Sequence, residues 1–341
     1  MSLLLLAATL TPAPVVVQDP RITESSGLVA SPTRPDLVWT VNDSGSSAVV
    51  YGVSLRTGRT VATLRLAKTD ARDMEAMTAT RGADGAGLLW IGDVGDNRAV
   101  RASVVLRLVR EPVPTASATV RPVSLRVRYP DGPHNVETLI WTPDRRLLLV
   151  TKDLFSGVVY EVPAPAVAAA IAGRSTLDPV SAQPVAEVGM SLVTDGAALP
   201  DGRIILRGYS GATVYPSPPR AGGEGQALQP LQQVALPAQP QGETLTVVDG
   251  GRAGLVGSEG RRQPLQRVEL APAVTAPAAT TGPATTGPAT TGPATTGPSA
   301  APRALNPAPG PRRPLLALAT IAVALVAGGI ALSRGRRRRR R

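Results

Sequence analysis

From residue 14 to residue 270 the chain is a succession of short apolar runs broken by turns rich in Gly, Pro and Asp. The apolar spacing there is that of strands, and only Ala164 to Gly173 reads as a helix. One arrangement recurs five times: an acidic residue opening a short apolar strand, a turn, and a second apolar strand that ends in polar residues. The copies open at Glu24, Glu75, Glu137, Asp195 and Glu243. Their second strands read LVWTVNDSG from Leu37, LLWIGDVGDN from Leu88, RLLLVTKD from Arg146, GRIILRGYSG from Gly202 and AGLVGSEG from Ala253. The opening acids lie 51, 62, 58 and 48 residues apart. One or two further β-prone runs follow each pair, so a repeat holds about four strands in roughly 50 residues, as a β-propeller blade does.

This predicts an all-β ring of five blades. The two longer intervals leave room for a degenerate sixth, and a two-sheet sandwich is the competing all-β fold. The fifth copy is one strand short, while Pro14 to Gln18 is a β-prone segment without a partner. That segment is therefore expected to complete the last blade and close the ring. The helical stretch in the third repeat is expected to be a surface insertion.

The ends follow other rules. Leu315 to Leu332 is an uncharged run of 18 residues, about 27 Å long as a helix and close to the thickness of a bilayer core. Two arginines precede it and seven follow, which places the C-terminus in the cytoplasm. The expected layout is a signal peptide over 1–13, a propeller over 14–270, a Pro/Thr/Gly-rich stalk over 271–311, a transmembrane helix over 312–333 and an arginine tail over 334–341. The apolar N-terminal run lacks a basic flank, so it reads either as a signal peptide or as a strand. The stalk contains four tandem pentamers of the TTGPA type, too poor in apolar surface to offset the cost of ordering. Its threonines suit O-glycosylation.

Charge narrows the function classes. The net charge is +11, but residues 271–341 hold ten arginines and no acid, leaving the first 270 residues at +1. The basicity belongs to the anchor, and nucleic-acid binding loses its support. Cysteine is absent, which excludes disulfides and thiolate metal sites.

Candidate chemistry is carboxylate chemistry. In a propeller the first strands surround the central channel, so Glu24, Glu75, Glu137, Asp195 and Glu243 are expected to form an acidic ring at its mouth. Such a ring must be protonated, hydrogen-bonded to neighbouring blades, or bridged by a cation, for which Ca²⁺ is the natural choice. The second strands end in Asn42 and Asp43, in Asp93, Asp96 and Asn97, in Asp153 and in Glu259. The group Asp93, Asp96 and Asn97 fits either a metal loop or a pair of Asx-turns. His134, the only histidine, stands near Asp131 and Glu137, as a general base at the mouth or as a plain turn residue. No nucleophile elbow or phosphate-binding loop occurs.

These motifs carry a resemblance. ESSGLVAS with WTVNDSG, IGDVGDN, YPDGPHNVETL with VTKD, and QGETLTV resemble exported bacterial β-propellers of the TolB-like, gluconolactonase-like and phytase-like kinds. The chain looks closest to their actinobacterial, membrane-anchored members. Such relatives often carry an Asp-Trp-Glu-Asp motif where this chain has Arg72-Asp73-Met74-Glu75-Ala76. The sequence thus leaves two functions open. One is a cell-surface binding module for an extracellular ligand or protein, stabilised by Ca²⁺. The other is a metal-dependent extracytoplasmic hydrolase. If the layout holds, protease added to intact cells releases the outer domain by cutting between Ala271 and Pro311. Protection of that domain in unpermeabilised cells would reverse the orientation.

Overall fold

The computed structural model describes residues 13–270, apart from 44–46, 114 and 223–224. The expected signal peptide, stalk, transmembrane helix and arginine tail lie outside the described residues, except for residue 13. Among the described residues no helix is long and apolar enough to cross a membrane.

The chain enters through β1 (Val15–Val16) and builds the first blade from β2 (Ser25–Ala30), β3 (Leu37–Asn42), β4 (Val49–Ser54) and β5 (Thr60–Leu66). The second blade takes β6 (Met74–Arg81), β7 (Gly87–Asp93) and β8 (Val104–Arg110), then, after a short β9 (Ala118–Val120), β10 (Val123–Arg128). The third takes β11 (Val136–Trp141), β12 (Leu147–Thr151) and β13 (Gly157–Glu161), then, after helix α1 (Ala164–Ile171) and β14 (Val180–Ser181), β15 (Gln183–Val188). The fourth takes β16 (Asp195–Ala198), β17 (Ile204–Arg207) and β18 (Ala212–Tyr215), then, after β19 (Gln226–Leu228), β20 (Gln232–Val234). The fifth takes β21 (Gly242–Val248), β22 (Ala253–Ser258) and β23 (Pro264–Glu269). Five sheets result, one per sequence repeat, each antiparallel across its four blade strands. The helix is the insertion expected in the third repeat.

Ring closure follows the sequence expectation. β1 pairs antiparallel with β23, Val15 opposite Leu265, and supplies the outer strand that the fifth blade lacks. The long intervals do not hide a sixth blade. They are spent on α1 and on small hooks: β9 pairs parallel with β5, β14 with β10 and β19 with β15. Each hook leaves its own blade between the third and fourth strands and lays a fifth strand on the blade before.

The core is five apolar layers, one between each neighbouring pair of blades. Trp39 packs with Met77 and Leu89 between blades one and two. Trp90 and Tyr160 share the layer between two and three, with Val167 and Ala170 of the helix. Ile140 meets Ile204 between three and four, Ile205 meets Leu245 between four and five, and Val38 meets Leu255 across the closure. Polar bonds cross the same interfaces. Glu111 accepts from Trp39 Nε1 at 2.8 Å and from the hydroxyls of Ser31 and Thr33. Blades also approach closely in places: a Cβ on Gly27, which has φ +67°, would lie 2.6 Å from the Met77 nitrogen.

Deleting residues 1–17 strips β1 and the buried Val17 and leaves the outer edge of β23 unpaired. The loss is about 3 kcal/mol from one buried valine and its ladder bonds, which lowers the melting temperature by roughly 10 °C. An unchanged melting curve would show that the ring does not depend on this strand.

Candidate functional site

The first strands of four blades open with a register shift. In blade one it falls at Gly27, between Ser26 and Leu28. In blades two, three and five it falls between Met74 and Ala76, between Val136 and Thr138, and between Gly242 and Thr244. The residue at each of these last three shifts is an acid, Glu75, Glu137 or Glu243, and all three are buried. A bulge turns an extra side chain out of the ladder, and here it gathers three carboxyl groups around the channel mouth.

The expected ring of five is incomplete. Glu24 precedes β2 and is exposed, and Ser26 stands at the second position of that strand, where blades two, three and five carry acids. Its hydroxyl donates to Glu75 Oε2 at 2.6 Å and to the Glu75 carbonyl at 2.9 Å. Asp195 pairs in register with Arg207, without a bulge, and is fully buried. Its carboxylate accepts the backbone N–H groups of Leu245 (2.8 Å), Gly196 (2.8 Å) and Leu28 (3.2 Å). Burial pushes its pKa up against these donors and the nearby Arg207.

The mouth has two electrostatically different halves. In one, oxygens of Asp43, Asp73 and Glu75 lie within 4.8 Å of one another. Asp43 follows β3 in blade one, whereas Asp73 and Glu75 stand where the second blade begins. Two ionised carboxylates at that separation repel by roughly 3 kcal/mol at an effective dielectric of about 20. Burial, with Asp43 beside it, pushes Asp73 up to about 7. Burial, Glu137 and Asp43 raise Glu75 well above its ordinary value. Glu259 joins this field and is pushed up to about 8 by burial and by Glu243, Asp43 and Glu24. Gly95 leaves space for the group, since a Cβ there would lie 2.4 Å from Asp73 Oδ2.

The other half carries a compensating cation. Lys152 Nζ donates to Glu137 Oε2 at 2.6 Å and to the Tyr209 hydroxyl at 2.8 Å. Burial works against its charge, but Glu137 and Glu243 outweigh burial and push the ammonium pKa up. Glu137 itself is pushed up to about 7, by burial that Lys152 only partly offsets. Burial and Glu243 push Tyr209 up to about 12.

The remaining candidates are spoken for. Asp93 forms ion pairs with Arg101 and Arg107, both at 3.1 Å, and accepts from the Asp73 amide at 3.1 Å. Asp96 accepts the amides of Val100 (2.7 Å) and Arg101 (2.6 Å), four and five residues on, and so ties down its loop over a longer reach than an Asx-turn has. Asn97 accepts from Asn135 at 3.2 Å. Asp93, Asp96 and Asn97 therefore do not converge as a metal loop. Asn42 accepts from the amides of Thr23 and Glu24 and donates to the Arg21 carbonyl. Asp153 accepts from its neighbour Thr151 at 2.6 Å. His134 does not join the carboxylate group. Its Nε2 lies 2.9 Å from the Tyr160 hydroxyl and 3.2 Å from Asp131, and Tyr160 donates to Asp131 at 2.6 Å.

Three acids sit at the mouth or beside it with pKa values raised to about 7, 7 and 8: the half-buried Asp73, the buried Glu137 and the half-buried Glu259. Unfolded carboxyl groups ionise near 4, so between pH 4 and 8 the folded chain binds more protons than the unfolded one. Stability from these groups is full below about pH 4 and lost as pH rises through 7 to 8. Without divalent cations, the melting temperature therefore falls by several degrees between pH 5 and pH 9. A rise over that interval would show that the acids are ionised and compensated within the protein.

No protein-family profile matches the chain, and no curated protein does. Solved structures similar to it are propellers of low identity. A luciferin-regenerating enzyme is 9% identical, with 75% of this chain and 95% of that one covered and a TM-score of 0.41. A gluconolactonase from Xanthomonas campestris is 13% identical, with 77% and 99% covered and a TM-score of 0.38. The calcium-binding protein regucalcin from Agrobacterium tumefaciens is 11% identical, with 75% and 95% covered and a TM-score of 0.40.

Proposed function

We propose that the propeller is a cation-dependent binding domain displayed outside the cell, its mouth holding a calcium ion on Asp43, Asp73 and Glu75. The observation that carries this reading is the approach of three carboxyl groups to within 4.8 Å, two of them with strongly raised pKa values. The donor set fits the ion. All three donors are hard carboxylate oxygens, and no thiolate or imidazole stands among them. Asp73 Oδ1 is buried and accepts no hydrogen bond within the described residues. A bound calcium would supply the positive charge that lets these groups ionise together, and a point for oxygens of a ligand to attach. Lys152 presents a second positive charge beside it, and the partly exposed Tyr209 ring offers an apolar face. The apolar run and arginine tail beyond residue 311 support display at the membrane.

A second reading, a metal-dependent hydrolase, is favoured by Lys152 and Tyr209 next to the acids. An ammonium and a hydroxyl could there hold an anionic substrate or the charge that develops on it. The two readings differ in what Glu137→Gln does. It leaves ligand capture by a binding domain largely in place, and it removes turnover from a hydrolase by freeing Lys152 from its partner.

Calcium at one hundred times its dissociation constant stabilises by about 2.7 kcal/mol, a rise in melting temperature of roughly 5–10 °C. Chelator should reverse it. Asp73→Asn and Glu75→Gln should each remove most of the rise, whereas Asp201→Asn, at an exposed turn ion pair with Arg203, should leave it intact. A melting curve unmoved by calcium through the millimolar range would reduce the mouth acids to protonated contacts between blades.

A further inference from the structure

On the side of blades two and three away from the mouth, a groove of about 630 Å³ opens between the turn of blade two and helix α1. We propose that this groove is a binding site for a small monocarboxylate with an apolar body. Its walls are apolar: Leu88 and Trp141 on the sheet side, Val167 and Ile171 on the helix. Size and lining are those of a small-molecule site. The helix that forms one wall is an insertion found in this blade alone among the described residues.

Arg145 at the rim supplies the polar anchor and the argument for charge. Blades two, three and four turn from first to second strand by the same hairpin. In each, the fourth turn residue donates its amide to the first residue's carbonyl, and the first donates to the fifth: Gly82 to Ala86, Thr142 to Arg146, Leu199 to Arg203. The fourth residue is left-handed in all three, with φ of 77°, 67° and 91°. Two blades place glycine there, Gly85 and Gly202, as the conformation favours. The third places Arg145, against that preference, and on the lip of the groove. Its side chain makes no hydrogen bond or ion pair among the described residues, whereas Arg110 on the opposite lip is held by Asp84 at 2.7 Å. A strained residue with an unpaired guanidinium above an apolar cleft suits an anionic head with an apolar tail.

The chain contains its own reporter. Of its three tryptophans, Trp39 and Trp90 are fully buried and Trp141 lines the groove. Titrating 4-phenylbutyrate into the full-length protein should change tryptophan fluorescence saturably. The neutral 4-phenylbutanol should bind about tenfold more weakly, the effect of one charge-assisted hydrogen bond. Arg145→Gly should weaken phenylbutyrate binding by a similar factor while raising the melting temperature by roughly 2–4 °C, because glycine suits the turn. That pairing, a more stable protein that binds less, is not what a structural role for Arg145 would give. Ala168→Phe, which fills the groove from the exposed face of the helix, should abolish the response without unfolding the ring. An absent or unsaturable response to phenylbutyrate overturns the proposal. So does equal binding of the alcohol, or full binding by either folded variant.

Discussion

Asp195 is where the ring is tied together. Its carboxylate accepts a backbone N–H from its own blade, another from Leu28 in blade one and a third from Leu245 in blade five, all without access to water. Every blade must bring a first strand to the axis, and first strands at an axis have few partners for the N–H groups that face it. A buried amide left unpaired costs about as much as a lost hydrogen bond. One carboxylate of the right length satisfies three blades at once, and Arg207 beside it bonds to the carbonyls of Thr244 and Gly257 at 3.0 and 3.2 Å. The closing strand β1 and the hooks between neighbouring blades fasten the outside of a ring whose centre is held in this way.

The same crowding that requires Asp195 creates the mouth. Bulges at the start of three first strands turn acids toward a common space, and a short distance from the axis the protein stops neutralising them with its own groups. Lys152 covers Glu137, and Arg101 and Arg107 cover Asp93. Among the described residues neither Asp73 nor Glu75 forms an ion pair, and Arg101, already paired with Asp93, only partly offsets Asp73. The gradient from fully compensated to under-compensated carboxylates runs across a single opening, which gives that opening a direction for a charged ligand.

The blades were legible because each repeat shows its strand pair with turn chemistry between, and because a ring needs its leftover strand. The hooks were not, for strands as short as Ala118–Val120 or Val180–Ser181 have no pattern apart from their partners. The candidate site was legible by halves. Glu75, Glu137 and Glu243 share a repeat position and share a bulge. Glu24 looked equivalent because it opens the repeat, but the register shift of its strand falls at Gly27, between Ser26 and Leu28, and sequence spacing cannot show where a bulge sits. Asp93 had the density of oxygen neighbours that a metal loop has. The arginines that bind it are eight and fourteen residues further on, and no local pattern announces them. Asp73 lies outside the repeat altogether.

The exit of the chain has a mechanical side. The last described residue, Leu270, donates its amide to the Arg252 carbonyl beside the β21–β22 turn, at the end of the sheet opposite Glu243. β23 arrives there clamped on one side by β22 and, near its start, on the other by β1. A pull on Leu270 along the strand therefore loads the bonds on both flanks together, in shear, instead of peeling them one by one from an end. A domain built this way can be held by its C-terminus under tension while its blades, and the opening on their other side, keep their shape.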